Sequence, residues 1–234
     1  MDSCFSPRQV LAVSELNEKR SDSQKSADGK KRRRVAADDV DIGSYAKDSI
    51  GCLQPLLLCL ETCIRADAHD GGQWIRADDA RRYHLLLEPL GKLLQCRISD
   101  SSASNGGFSN SIDAYRTIVH GSEDENTSSE GGSVIGCLVA LAGASGDEQL
   151  WKPLNYAVLQ ACANERRPEV RKAGVYSLLS LIRSLGEEYM VLLPECLPNL
   201  SELLEDSDDE IAGFAQECIR ISEELLGESL QDSL

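Results

Sequence analysis

The sequence predicts an all-α fold, a superhelix of helical hairpins that repeat about every 41 residues, and three observations carry that expectation. Apolar residues recur at helical spacing in several separate stretches. The 234-residue chain is 41% apolar but only 5% aromatic, a balance that suits helices packed through aliphatic layers better than a β-sandwich core. Sliding the sequence on itself by 41 residues lays PEVRKAGVYSLLSLIRSLG on DEIAGFAQECIRISEELLG, pairing Val170 with Ile211, Leu178 with Ile219, Leu185 with Leu226 and Gly186 with Gly227. A period near 40 with two helices per unit is that of HEAT-like and armadillo arrays, where each pair buries its apolar face only by stacking on the next.

Residues 1–43 are rich in Ser, Asp, Lys and Arg, with one short apolar patch around Val10 to Leu16, and read as a disordered basic and polar tail. Within it Lys30, Lys31, Arg32, Arg33 and Arg34 form a nuclear-localisation candidate, since five cations in an exposed segment suit an acidic receptor groove. The competing reading is an ordinary solvated charge run. Residues 44–98 are expected to form a helical hairpin: Ile50, Leu53, Leu57, Leu60 and Ile64 mark a helix over 44–68, and Leu86, Leu90, Leu93 and Leu94 a second over 74–97, joined across the turn HDGG.

From 99 to 132, Ser, Gly, Asn and acidic residues predict a flexible, disordered insertion with one weakly apolar island from Ile112 to Val119. Ser122, heading SEDE, is a phosphosite candidate there. The segment 133–234 carries the C-terminal HEAT-like repeats. The offset of 41 matches Trp151 with Leu192, Tyr156 with Leu197, Leu159 with Leu200, Cys162 with Leu203 and Pro153 with Pro194. Another step of 41 puts Cys137, Leu138 and Leu141 on Leu178, Leu179 and Ile182, placing the second helix of an eroded unit over 134–145. Pro153 sits among helical apolar residues, so it either begins the long part of its helix or kinks it. Gly186 and Gly227 fall where left-handed caps end helices, and Pro168 takes a first helical position. In the acidic turn EDSDDE, Ser207 or Asp208 can cap the next helix; Ser207 heads either a capping box with Glu210 or, as the alternative, a second phosphosite.

A net charge of −15 argues against a surface that tracks phosphates and favours protein partners. Nine cysteines, an odd number without regular spacing, read as reduced and intracellular. Cys52, Cys59 and Cys63 with His69 and His84 lack any paired C-x-x-C, so buried structural thiols are expected rather than a zinc site, and no metal or other cofactor is called for. No glycine-rich phosphate loop and no G-x-S-x-G motif is present, so the expectation is a non-enzymatic chain, with a thiol enzyme or metalloprotein as the rival of another class. No apolar run reaches the roughly 20 residues that span a bilayer. Arg166, Arg167, Arg171 and Lys172 form the basic cluster of the folded part, expected either to contact an acidic partner or RNA or simply to be solvated.

The stretches LWKPLNY, PEVRKAGVYSLLSL, LGEEYMVLLPECLPNLSELLEDSDDE and LLGESLQDSL together resemble the C-terminal part of the family of U3 small nucleolar RNA-associated protein 10 and HEAT repeat-containing protein 1. The resemblance is good over 134–234 and weak over 44–97; WKPLN, LLPE before an acidic turn, and LLGESL are its distinctive parts. It implies a nuclear and nucleolar scaffold of the small-subunit processome in pre-rRNA processing and 18S rRNA maturation, with a link to RNA polymerase I transcription. It further implies processome proteins and the U3 snoRNP as partners, indirect contact with pre-ribosomal RNA, no membrane, no small-molecule substrate and no catalytic residues. The alternative is a free-standing HEAT-repeat adaptor unrelated to ribosome assembly.

Overall fold

A computed structural model describes residues 47–96, 111–121 and 132–230; the basic run Lys30 to Arg34 and Ser122 lie outside them. All regular elements among the described residues are helical. They are α1 (Lys47–His69), α2 (Gln73–Arg76), α3 (Arg81–Leu94), α4 (Ser111–His120), α5 (Val134–Ser145), α6 (Glu148–Cys162), α7 (Pro168–Leu185), a 3₁₀ segment (Gly186–Leu192), α8 (Leu193–Leu204) and α9 (Asp209–Leu226). None is long and apolar enough to cross a membrane.

The helices alternate between two rows. In one row α1 packs on α5, α5 on α7 and α7 on α9; in the other α3 packs on α6 and α6 on α8; α3 with α5, α6 with α7 and α8 with α9 join the rows. This is the HEAT-like superhelix. The 41-residue offset holds at the level of packing: Val170 and Ile211, Gly174 and Ala215, Ser177 and Cys218, and Leu178 and Ile219 are all buried. One backbone approach is unusually close. A side chain at Gly174 would place its Cβ 2.6 Å from the Cys162 nitrogen, so α7 lies against α6 only because that position has none.

Several expectations change. The pattern over 74–97 splits into α2 and α3, because Asp78, Asp79 and Ala80 all take left-handed backbone and end the first helix after one turn. The Asp67 carboxylate accepts from the Trp74 and Ile75 amides at 2.8 and 2.9 Å, which holds that short turn against α1. Within the segment expected to be flexible, the island around Ile112 to Val119 is part of α4. Ala114, Tyr115, Ile118 and Val119 are buried there, and the Tyr115 hydroxyl donates to the Leu94 carbonyl at 2.5 Å.

Cys52, Cys59 and Cys63 share one face of α1 as their spacing predicts, but that face is exposed. The buried face carries Leu57, Glu61 and Ile64 instead. The matched prolines take different places. Pro153 lies inside α6, whereas Pro194 stands in the first turn of α8, with the 3₁₀ segment before it and Pro198 inside the helix. Asp208, not Ser207, caps α9, its carboxylate accepting from the Glu210 amide at 3.0 Å. Ser207 is exposed in the loop. Gly227 closes α9 in the left-handed region, and Gly186 has positive φ as well but with extended ψ, which turns the chain into the 3₁₀ segment.

Candidate partner-binding groove

The stretch WKPLN proves to be a connector between repeats. The Trp151 indole donates to the Ala142 carbonyl of α5 at 2.9 Å, which fixes α6 to the preceding unit. Asn155 is fully buried; its Oδ1 accepts from the Tyr189 hydroxyl at 2.6 Å and from the Cys196 thiol at 3.5 Å, and its amide nitrogen lies 3.4 Å from Glu195. A buried amide with both ends engaged sets the register of the following unit.

The loop after α6 is shaped by Asn164, whose side-chain oxygen accepts from the amides of Arg166 and Arg167 at 3.2 and 3.0 Å. This turn distributes the predicted basic cluster. Arg167 points inward, donating to the Gln95 and Cys96 carbonyls at 3.0 and 2.7 Å, pairing with Glu169 at 2.9 Å and lying 5.7 Å from the Tyr115 ring centroid. Arg171 grips Asp206 with two hydrogen bonds, at 2.6 and 3.0 Å. The guanidinium holds the Asp206 carboxyl below its ordinary pKa. Lys172 pairs with Glu210. Three of the four cations thus join structural elements of the array, and Arg166 is the exposed one.

Arg166 stands at one end of an open groove of about 760 Å³ between α3 and α6. Leu87, Gly91 and Ala157 supply apolar lining, and Lys92, Gln95, Tyr156 and Gln160 supply polar groups. Gly91 faces Ala157 across the groove floor, where a Cβ would meet the Ala157 methyl at 3.5 Å, an ordinary van der Waals contact. Lys92 pairs with Glu88 at 2.6 Å, which lowers the pKa of Glu88. Exposed amides and a tyrosine hydroxyl can both donate and accept, as the backbone of a bound peptide demands. Tyr156, matched by period with Leu197, is 65% exposed; it falls outside the buried series Trp151, Leu154, Asn155 and Val158, which is the signal that could have marked the groove.

The five buried thiols among the described residues are poor nucleophiles. Burial raises Cys96 and Cys196 to about 11 and Cys137 and Cys218 to about 12, and pushes Cys162 up as well. Among the described residues no three His, Cys, Asp or Glu side chains are grouped to hold a metal ion.

No domain-family profile matches the chain. Individual relatives do. HEAT repeat-containing protein 1 of Homo sapiens is 42% identical over 98 residues, 42% of this chain and 4% of that protein. An uncharacterized Arabidopsis thaliana protein is 32% identical over 179 residues, 76% of this chain and 7% of its own length. U3 small nucleolar RNA-associated protein 10 of Aspergillus niger is 30% identical over 127 residues, 50% of this chain and 7% of that protein. The matched stretches are therefore 4% to 7% of these relatives. By these homologies, which cover part of its length, the chain belongs to the family of HEAT repeat-containing protein 1 and U3 small nucleolar RNA-associated protein 10.

Proposed function

We propose that the chain is a non-enzymatic scaffold in ribosome biogenesis. In this reading it acts in the nucleolus within the small-subunit processome, in pre-rRNA processing and 18S rRNA maturation, with a link to RNA polymerase I transcription. The single observation that supports it is homology to proteins named as U3 small nucleolar RNA-associated. The two-row helical array suits the role, since a stacked array presents long side-chain surfaces without catalytic machinery. The α3/α6 groove is the proposed partner contact, with Arg166 as its cation; Arg167, Arg171 and Lys172 serve by holding the loop that presents it. Lys30 to Arg34 is the proposed nuclear-import signal, Ser122 and Ser207 are proposed phosphosites, and contact with pre-ribosomal RNA is indirect.

Purification of the tagged chain from its own cells, followed by probing for U3 snoRNA and processome proteins, tests the reading. Co-enrichment of both is expected. Recovery of neither, with other nuclear or cytosolic proteins in their place, would reject it in favour of a free-standing adaptor. Replacing Arg166 with Glu should reduce the enrichment and leave the helical signal unchanged.

A further inference from the structure

Seven lysines and arginines lie between residues 132 and 230. Six of them, Lys152, Arg167, Arg171, Lys172, Arg183 and Arg220, pair with carboxylates. Arg166 is the seventh, and no carboxylate among the described residues pairs with it. Its loop is fixed on three sides. Asn164 accepts from the Arg166 amide at 3.2 Å, Arg171 donates to the Asn164 carbonyl at 3.1 Å, and Arg167 ties the loop to the Gln95 carbonyl of α3 at 3.0 Å. A guanidinium presented on a fixed loop at the end of a groove is preorganised for an anionic group.

The surroundings favour a single negative charge there. Helices α3 and α6 with the loop 163–167 hold six lysines and arginines against three glutamates, in a chain whose net charge is −15. Of the acids that line the groove, Glu88 is taken up by Lys92. Glu165, beside Arg166 in the lining, repels a second negative charge, so a run of carboxylates or a chain of phosphates fits badly. The floor formed by Leu87, Gly91 and Ala157 is apolar and shallow. From Ala157 to Asn164 the distance along the helix direction is about 10 Å at 1.5 Å per residue.

We propose that the α3/α6 groove binds a polyproline-II peptide with an aliphatic side chain and, three residues away, one Asp or Glu. The aliphatic group rests on the floor and the carboxylate on Arg166. Two observations select this occupant over a helix or a nucleic acid. Three polyproline-II residues advance about 9 Å and return a side chain to the same face, which matches the span from floor to cation. Such a segment also leaves its carbonyls unpaired, and Gln95, Gln160 and the exposed Tyr156 hydroxyl are donors along the lining. The proposal deepens the partner contact named under the proposed function and rests on it.

The probes are fluorescein-labelled peptides built on Leu-Pro-Pro-Asp and on the reversed order Asp-Pro-Pro-Leu, because side-chain donors impose no chain direction. Each is titrated with the full chain and followed by fluorescence anisotropy. One of the two should bind about tenfold more tightly than its Asn counterpart, the size of one charged hydrogen bond, and more tightly than its Gly-Gly counterpart, which is not pre-extended. Arg166→Glu should remove that binding and turn the preference to the Lys counterpart, and Tyr156→Ala should weaken it. Arg81→Glu makes the same charge change on α3 outside the groove lining and should leave binding unchanged. No binding, equal binding of the Asp and Asn peptides, or equal loss with Arg81→Glu overturns the proposal. Displacement of the peptide by equimolar single-stranded RNA does so too, since RNA would then be the occupant. If U3 snoRNA is not co-enriched but the peptide binds as expected, the functional reading fails and this assignment stands; co-enrichment without peptide binding gives the reverse.

Discussion

Replacing Asn155 with Ala tests how one buried amide ties two repeats together. The substitution leaves the Tyr189 hydroxyl, 1% exposed, without its acceptor at 2.6 Å, and strips the Cys196 thiol of its Asn155 contact. A buried hydroxyl left unpaired costs about 1–3 kcal/mol, and the lost side-chain volume adds about 1 kcal/mol. The total is about 2–4 kcal/mol. For a folded part of this size that is a fall in melting temperature of about 5–15 °C. Tyr189→Phe alone should cost about 1 kcal/mol, since Asn155 keeps Cys196 and Glu195. The double variant is decisive. If the two groups satisfy each other, it should be less destabilised than the sum of the singles by about 1–2 kcal/mol, because neither partner then stays buried and unpaired. Urea unfolding followed by circular dichroism measures all three, and amide exchange should show α8 and α9 opening before α6. Additivity within about 0.5 kcal/mol would refute the reasoning.

Arg171→Ala should cost about 2–4 kcal/mol, because Asp206, with a side chain 7% exposed, loses both hydrogen bonds from the guanidinium; Arg171→Lys should recover only part of it by thermal unfolding. Asp206 has a folded pKa below its unfolded one, so this stability is present above the unfolded pKa and lost as pH falls through the folded value. His120, whose ring lies 5.2 Å from that of Tyr176, is held down to about 4 by burial and then by Lys172 and Arg116, with Glu210 opposing. Its contribution is complete above the ordinary value near 6.5 and is lost as pH falls toward 4, up to about 3 kcal/mol. His120→Phe should flatten that part of the stability profile; an unchanged slope between pH 6.5 and 4 would show that other groups cause it. Gly174→Val should destabilise by several kcal/mol in the same assay, since its Cβ would lie 2.6 Å from the Cys162 nitrogen.

The repeat was legible because stacking repeats the same demand at each unit, and positions 170, 174, 177 and 178 reappear buried at 211, 215, 218 and 219. On α1 the core face was legible in the spacing of Leu53, Leu57, Leu60 and Ile64, but the exposure of Cys52, Cys59 and Cys63 was not, since thiols behave as small apolar groups and their own spacing marks a second face. The burial of Glu61 was not legible either: it lies inside, pairing with Arg65 at 2.8 Å and facing the Ser133 amide at the start of α5. How the basic cluster is distributed was not legible either. Arg167 and Arg171 meet groups 71 to 72 and 35 residues away in sequence, and no local pattern reports such partners.

Pro153 and Pro194 show how one repeat position can serve two purposes. A proline needs no N–H donor in a first turn, so Pro194 begins α8 without cost, and the residues before it coil as a 3₁₀ segment whose Tyr189 and Leu192 are buried. Pro153 lies five residues past the start of α6, where a hydrogen bond to the preceding turn is forfeited. Helix α6 nevertheless continues through it, because Trp151 is anchored to α5 on one side and Asn155 to Tyr189 and Cys196 on the other. The contacts that fix this helix from both neighbours therefore offset what its own backbone loses, and WKPLN is a unit for that reason: the proline is tolerated by the tryptophan and asparagine that flank it.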